Sequence, residues 1–198
     1  VSSLEGLNVR VRILPSLIDL ADGHVSVKKL RSVKLEDLLR REPIRLDDPG
    51  VENLIKGKRI LVTGAGGSIG SEICRQVAAK GPSELLVLGH GEQSIYNLQE
   101  SFALSGNKVP LVPIIADIAD KEALESVFKK HMPQIVFHAA AHKHVPLMED
   151  NPREALRVNA YGTRILAEMA GKYRAERMVM ISTDKAVHPS SIMGATKR

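Results

Sequence analysis

Residues 59–70 have the sequence Arg59-Ile-Leu-Val-Thr-Gly-Ala-Gly-Gly-Ser-Ile-Gly70. The aliphatic run at the start is typical of a buried parallel strand, and the glycines that follow have the spacing G-x-x-G-x-x-G. In a dinucleotide-binding loop, one glycine makes the turn, one lets the backbone approach a pyrophosphate and one lets the next helix pack closely. The pyrophosphate then lies against the free N–H groups of that helix. We predict dinucleotide binding by the loop and the first helical turn, that is by Gly64, Gly66, Gly67, Ser68, Ile69 and Gly70.

Outward from this loop, predicted strands and helices alternate along the chain. This alternation implies right-handed βαβ crossovers and a parallel sheet with helices on both faces. The fold class predicted is therefore α/β, a doubly wound sheet of the Rossmann type. We predict strands at residues 59–62, 84–88, 109–115, 134–138 and 178–182. We predict helices at residues 68–79, 93–101, 121–131 and 152–172, and a further helix that starts near Ser190.

The first 56 residues do not show this alternation of strands and helices. Residues 9–14 resemble a strand closed by Pro15, and residues 28–41 have apolar residues at helical spacing, which predicts a short amphipathic helix. Proline, aspartate and glycine then interrupt the pattern up to Gly50. We predict that residues 1–56 are the end of a preceding domain plus a linker, and that residues 57–198 form the dinucleotide-binding domain.

Composition argues against several classes of protein. The 198-residue chain has a net charge of +5, and its basic residues are scattered, so we expect no nucleic-acid partner. Aromatic residues make up only 3%, too few for stacking platforms on single strands. The single cysteine, Cys74, allows no intramolecular disulfide. No apolar run approaches the roughly 18 residues of a membrane span, so we expect no membrane contact for this chain.

The residues after the second and third strands bear on the adenosine half of a dinucleotide. A carboxylate that bonds the ribose is expected after the second strand, but Gly89 occupies that position and His90 follows it. Without the acid a 2′-phosphate is not repelled, and His90 is placed to approach it, which slightly favours NADP over NAD; alternatively, Glu92 reaches back and serves as the acid. After the third strand, Asp117 is placed to accept from the adenine amino group, and Ile118 to cover a ring face. Asp117 and Ile118 are alternatively a plain strand-end turn, and so are the three alanines after the fourth strand, Ala139, Ala140 and Ala141.

Polar residues also follow the fourth and fifth strands. After the fourth, Ala139, Ala140 and Ala141 offer small side chains where the nicotinamide half must pass. The histidines and glutamate of residues 138–149 lack a second ligand cluster, so we expect no metal site. After the fifth, adjacent Asp184 and Lys185 suit an acid and a base.

Alternative interpretations of the last segment remain open. Asp184 and Lys185 are alternatively a solvated strand terminus. Met193 and Lys197 lie four residues apart, on one face of a new helix. Met193 alone is alternatively a core residue.

These segments make the sequence similar to a known family. The chain resembles the CapD-like polysaccharide-biosynthesis nucleotide-sugar dehydratases and epimerases, a branch of the extended short-chain dehydrogenase/reductases. The resemblance covers residues 57–198 and is carried by residues 63–72, 139–149, 159–163, 182–187 and 193–198. Residues 1–56 resemble the end of the non-catalytic domain and linker that precede the catalytic domain in long, membrane-anchored members.

The resemblance implies dehydration of a UDP-linked N-acetylhexosamine with NAD or NADP. The cofactor takes the C4 hydride, a base removes the C5 proton, water leaves from C6, and the hydride returns to C6. By matching position, Lys185 is the C5 base, Asp184 the acid for the leaving hydroxyl, and Thr183 a partner of the sugar near O4. Lys197 would hold the nicotinamide ribose. The resemblance also places Lys143, His144 and Asn159 at the substrate side, with Asn159 holding the helix geometry.

The wider superfamily has Tyr where this chain has Met193, and a thioether cannot take the O4 proton. The long-form members share this Met, and our hypothesis is that Thr183, Asp184 or a water on Lys197 acts as the C4 oxidation base. A C4 or C5 epimerase and a non-catalytic NAD(P)-binding sensor are the alternatives to a 4,6-dehydratase.

The resemblance further implies a cytoplasmic catalytic region. It belongs to a parent protein that is a homo-oligomer and is anchored to the bacterial inner membrane by an N-terminal region. Because the chain begins without Met and stops inside a predicted helix, we expect a C-terminally truncated domain without its sugar-binding part, nearly inactive alone.

Overall fold

The computed structural model describes residues 49–198, together with two short strands in the first 48 residues. The chain divides into two compact units, Val1–Asp47 and Asp48–Arg198. In the first unit, β1 (Arg12–Ile13) pairs antiparallel with β2 (Arg31–Ser32). The helix predicted over residues 28–41 is therefore wrong at residues 31–32, where strand pairing overrides the local periodicity. The rest of that helix, and of the strand predicted over 9–14, lies outside the described residues.

The second unit is built on a parallel sheet of five strands, as predicted. Their order is β5-β4-β3-β6-β7, and the central strand pairs Val62 with Val87 on one side and with Phe137 on the other. The strands are β3 (Arg59–Thr63), β4 (Glu84–Gly89), β5 (Leu111–Ile115), β6 (Ile135–His138) and β7 (Arg177–Met180). Pro113 lies in β5, an edge strand of the sheet, where a missing N–H is tolerated.

Helices cover both faces of this sheet. They are α1 (Pro49–Ile55), α2 (Ser68–Ala78), α3 (Glu92–Leu104), α4 (Lys121–His131), α5 (Val145–Asp150), α6 (Pro152–Ala155), α7 (Thr163–Lys172) and α8 (Ile192–Lys197). Among the described helices, none is long and apolar enough to cross a membrane. α1 was not predicted: Ile55 is 3% exposed and packs into the core, so the second unit starts before the boundary that we placed at residue 57.

The helix predicted as continuous over residues 152–172 is interrupted. A π-helical segment, Leu156–Gly162, joins α6 to α7. Such a segment widens the hydrogen-bond ring by one residue and commonly lies at functional sites. Here it contains Asn159, which is 2% exposed.

Alternate residues of the central strands serve two separate cores. Ile60 and Val62 pack beneath α2 and α3, whereas Leu61 packs with residues of α4 and α7 on the opposite face. This alternation with both faces covered explains why β3 and β4 read as continuous aliphatic runs. By contrast, β7 is a largely exposed edge strand.

Candidate functional site

A cleft of about 340 Å³ opens at the carboxyl ends of the strands, where doubly wound sheets bind ligands. Its walls come from the residues that follow β3, β4, β5 and β6, and from the α6–π segment. The lining residues are Gly64, Gly66, Gly67, Leu88, Gly89, His90, Gly91, Ser94, Ala116, Asp117, Ile118, Ala139, Ala140, Ala141, His142, Glu154, Arg157 and Val158.

The glycine loop forms the floor of this cleft, and its shape demands glycine. Gly64 has φ +67°, and a Cβ there would lie 2.5 Å from the backbone nitrogen of Ala140. A Cβ at Gly70 would overlap the carbonyl oxygen of Gly64, so the third glycine allows α2 to pack against the loop. The close approach of two backbones leaves a cradle suited to a pyrophosphate.

The first turn of α2 contributes less to the cleft than predicted. Gly67 lines it, but Ser68, Ile69 and Gly70 do not. Ile69 is 58% exposed. The structure adds Ser94, in the first turn of α3, to the residues that line the cleft. Its hydroxyl lies so close to Gly66 that a Cβ at Gly66 would collide with it. A serine in a helix is too common for its sequence position to have indicated this contact.

At the end of β4, Gly89 and His90 line the cleft, and Glu92 does not. Asp117 lines it after β5, and its carboxylate accepts from the Ala119 N–H at 2.8 Å and from Arg157 Nη2 at 2.7 Å. Burial raises the pKa of Asp117, but these hydrogen bonds outweigh it and hold the pKa below its ordinary value.

Ile118 lines the cleft beside Asp117, yet its side chain belongs largely to the core. It is 4% exposed. Its Cδ1 lies so close to Gly162 that a Cβ there would approach it to 2.9 Å.

A cluster of charged groups at the α6–π wall was not predicted. Glu154 accepts from Arg157 Nε at 2.8 Å and from His142 Nε2 at 3.4 Å. The hydrogen bond from Arg157 is the largest cause that lowers the pKa of Glu154, to about 2. Arg157 also contacts Asp117, so the cluster joins the loop after β5 to the wall of the cleft. Only the folded chain brings these separated residues together.

Below the cleft, the ring of His138 connects three elements. Nδ1 lies 2.7 Å from Thr63 Oγ1 and Nε2 lies 2.8 Å from Thr163 Oγ1. The Thr163 hydroxyl donates to the Asn159 carbonyl at 2.5 Å, so its oxygen must accept from Nε2–H, and Nδ1 accepts from Thr63. Burial is the main cause that lowers the pKa of His138 to about 4, with the positive charge of Lys197 second.

Asn159 holds the segment that follows β6 against the last helix. Its Oδ1 accepts from the His142 N–H at 2.8 Å, and its Nδ2 donates to the His142 carbonyl at 3.0 Å and to Thr196 Oγ1 at 3.1 Å. The buried amide therefore positions main chain rather than facing the cleft.

Met193 and Lys197 lie on the buried side of α8. Met193 is 3% exposed and packs with Met148 and Ala155. Lys197 Nζ donates to the Ile181 carbonyl at 2.9 Å, and burial lowers the pKa of this lysine. Lys197 therefore contacts the main chain just after the end of β7.

The residues predicted to act as acid and base lie after β7, outside the lining of the cleft. Asp184 Oδ1 accepts from the Thr183 hydroxyl at 2.8 Å and from the Lys185 N–H at 2.9 Å. The Asp184 side chain is 90% exposed and that of Lys185 57%. Lys185 Nζ lies 3.8 Å from the Asp184 carboxylate. The hydrogen bond from Thr183 is the largest cause that lowers the pKa of Asp184.

The remaining predicted residues, Lys143 and His144, are exposed at the start of α5 and do not line the cleft. Within the described part of the chain, no three His, Cys, Asp or Glu side chains are grouped so as to hold a metal ion. Most of the predicted cofactor residues therefore line one cleft, whereas Ser68, Ile69, Gly70 and Lys197 do not. The predicted acid–base pair, Asp184 and Lys185, lies on an open surface.

Comparison with known proteins places this site in context. The chain is 48% identical over 199 residues to the capsular polysaccharide biosynthesis protein CapD of Staphylococcus aureus, covering 100% of this chain and 33% of the relative. It is 49% identical over 191 residues to the probable polysaccharide biosynthesis protein EpsC of Bacillus subtilis, covering 96% and 32%. An inverting UDP-N-acetylglucosamine 4,6-dehydratase of Campylobacter jejuni is 30% identical over 145 residues, with 73% and 42% covered. The chain thus spans about a third of the length of the first two relatives.

Solved structures agree with the fold. Pen from Bacillus thuringiensis superposes with a TM-score of 0.67 at 32% identity, covering 72% of this chain and 43% of that one. UDP-glucose 4-epimerase from Thermotoga maritima, solved with UDP-glucose, gives 0.62 at 26% identity, covering 70% and 47%. Residues 60–198 match the model of one protein family. The chain belongs to that family, described as polysaccharide biosynthesis protein.

Proposed function

We propose that this chain forms the cofactor-binding and acid–base part of an NAD(P)-dependent 4,6-dehydratase acting on a UDP-linked N-acetylhexosamine in polysaccharide biosynthesis. One observation carries the proposal: a cleft floored by the glycine loop lies at the same edge of the sheet as Thr183, Asp184 and Lys185. The similarity to a named UDP-N-acetylglucosamine 4,6-dehydratase supports the reaction type.

The residues present fit a dinucleotide. Gly64 and Ala140 approach so closely that no side chain fits between the loop and the segment after β6, and such a cradle accepts a pyrophosphate. Ala139–Ala141 would border the nicotinamide half, and Lys197 would hold its ribose. When bound, NAD or NADP supplies a reversible hydride acceptor for the sugar carbon C4.

The lean toward NADP rests on the adenosine end. Gly89 brings no carboxylate there. Glu92, the alternative acid, does not line the cleft, whereas His90 does. A 2′-phosphate would therefore meet a histidine and no nearby unpaired acid.

The elimination itself belongs to Asp184 and Lys185. Lys185, as a free amine, takes the C5 proton of the 4-keto sugar; the electron pair forms the C5–C6 double bond and expels the C6 hydroxyl. Asp184, as a carboxylic acid, protonates that hydroxyl, which leaves as water. Thr183 would bond the sugar near O4.

This chain alone does not provide the protonation states that the reaction needs. The Asp184 carboxyl is exposed, and its lowered pKa keeps it ionised at neutral pH. A general acid needs a raised pKa, which burial supplies. We therefore expect the 198-residue chain to be nearly inactive unless the bound substrate covers the pair.

Met193 is not the base that takes the O4 proton when C4 is oxidised. Its thioether is too weakly basic to accept a proton at neutral pH, and it is packed into an apolar cluster. We propose that Thr183, Asp184 or a water held by Lys197 takes the O4 proton. Burial lowers the pKa of Lys197, and this helps it to pass a proton onward.

The test is incubation of the full-length protein with UDP-N-acetylglucosamine and NAD or NADP, followed by mass spectrometry. A product lighter by one water supports the dehydratase. A product of unchanged mass but altered stereochemistry would instead identify the C4 or C5 epimerase, which the likeness to UDP-glucose 4-epimerase favours as the second candidate. Cofactor binding without turnover would identify the sensor.

A further inference from the structure

Arg157 lines the cleft but has no part in the proposed elimination. We propose that Arg157 is a specificity-determining residue: it orients the Asp117 carboxylate so that the cleft prefers a purine with an amino group at C6, adenine, over one with a carbonyl there. The inference rests on the proposed dinucleotide binding and adds which residue selects the base.

The order of the strands places the adenosine half near Asp117. The glycine loop follows the central strand β3; β4 and β5 lie on one side, β6 and β7 on the other. The acid–base residues follow β7, so the reacting nicotinamide must lie on that side of the loop. The adenosine half then extends toward the ends of β4 and β5, where His90 and Asp117 line the cleft.

The Arg157 side chain, which is 44% exposed, is oriented by Glu154 as well as by Asp117. Glu154 accepts from its Nε and Nη2, each at 2.8 Å, and this two-point contact fixes the plane of the guanidinium. The same Nη2 then donates to Asp117 Oδ2 at 2.7 Å. A lysine, with a single point of charge, cannot make this double contact.

The hydrogen bonds of Asp117 leave room for one more donor. Oδ1 accepts from the Ala119 N–H, and Oδ2 accepts from Arg157. Each carboxylate oxygen has two acceptor positions, so the group can also accept from a ligand. An ionised carboxylate cannot donate, and therefore it attracts an amino group and repels a carbonyl oxygen at the same place.

The experiment compares NAD with nicotinamide hypoxanthine dinucleotide, whose purine has a carbonyl in place of the C6 amino group and a proton on the adjacent N1. Calorimetric titration of the 198-residue chain gives the two dissociation constants and their ratio. We expect the wild type to prefer NAD at least tenfold, because the Asp117 carboxylate accepts from the adenine amino group and repels a carbonyl oxygen at the same place. Arg157→Gln is expected to reduce the preference to about threefold or less, and Arg157→Lys is not expected to restore it. If NADP is the tighter ligand, NADP and its hypoxanthine analogue are used.

Two further variants make the result specific. Arg164→Gln removes an exposed arginine of α7 that pairs with Glu168 outside the cleft, and its ratio should equal that of the wild type. In an Asp117→Ala background, Arg157→Gln should no longer change the ratio, because its effect passes through that carboxylate. Circular dichroism melting confirms that each variant is folded.

The outcomes separate the two proposals. If the wild type binds neither dinucleotide, the proposed cofactor site fails. If it binds NAD but the ratio is the same in the wild type and Arg157→Gln, the role of Arg157 is refuted and the cofactor site stands.

Discussion

The side-chain amide of Asn159 closes a ring with the backbone of His142, accepting from its N–H at 2.8 Å and donating to its carbonyl at 3.0 Å. A side chain with one donor group and one acceptor group facing the same peptide fixes that segment in position. Since His142 lines the cleft and follows Ala141, this contact joins the π-helical segment to the wall of the proposed cofactor site.

Asn159→Asp should destabilise the chain by about 2 kcal/mol or more, because a carboxylate cannot donate to His142 or Thr196 and would be buried as a charge. Urea denaturation measures the change. Asn97→Asp is the matched control: Asn97 is exposed on α3 and accepts from Gln93, and its replacement should change stability by less than about 0.5 kcal/mol. Equal effects of the two replacements would contradict the ring contact.

The buried ring of His138 should make stability depend on pH. Its pKa of about 4 in the folded chain lies below the ordinary 6.5, so below pH 6.5 the unfolded chain binds a proton that the folded chain does not. The stabilisation is complete above pH 6.5 and is lost as the pH falls toward about 4, by up to roughly 3 kcal/mol. His138→Gln should lack this component of the curve. If the wild type and His138→Gln lost the same free energy of unfolding between pH 6.5 and pH 4, the role of the buried His138 ring would be disproved.

Gly64→Ala and Gly81→Ala separate a steric clash from backbone strain. Both glycines have positive φ, +67° and +68°, but only at Gly64 would the new Cβ meet other atoms. Gly81→Ala should cost about 1–2 kcal/mol, and Gly64→Ala at least about 2 kcal/mol more. In titrations with NAD, Gly64→Ala should show no binding, while Gly81→Ala binds as the wild type does. A Gly64→Ala chain of wild-type stability would show that the loop is not closely packed.

Met193→Tyr tests the buried position of the thioether. Met193 is 3% exposed and packs with Met148 and Ala155, so we expect a loss of about 1–3 kcal/mol from overpacking by the larger ring. Met193→Leu should cost less than about 1.5 kcal/mol. In the full-length protein we expect no gain in turnover from Met193→Tyr. Much faster turnover by this variant, beside a nearly inert wild type, would mean that Met193 marks a damaged site.

The features that depend on local pattern were predictable. The glycine spacing, the aliphatic strands and the alternation of elements determine the doubly wound sheet, and α4 was predicted to the residue, Lys121–His131. Its ends are marked by the capping Asp120 and by a left-handed Met132. The predicted end of β7 was wrong. The strand ends at Met180 rather than at Ser182, because the sequence does not reveal where the pairing of an edge strand stops.

What the sequence did not reveal depends on contacts between distant residues. Arg157 is an ordinary helix residue until the fold sets it beside Asp117, 40 positions away. Ser94 becomes part of the cleft wall only because the fold brings it close to Gly66. The π-helical segment has no simple local signature, and the pairing of residues 31–32 with β1 overrode a helical pattern.

The most direct test of the central claim is solvent-isotope labelling at C5 of the sugar. Full-length protein is incubated in D₂O with UDP-N-acetylglucosamine and the cofactor, and the product is analysed by mass spectrometry and NMR. We predict a product that has lost one water and carries deuterium at C5, because C5 loses its proton to Lys185 and is protonated again from D₂O. We predict no product with Lys185→Met. A product of unchanged mass, or undiminished water loss by Lys185→Met, would contradict the proposed dehydration.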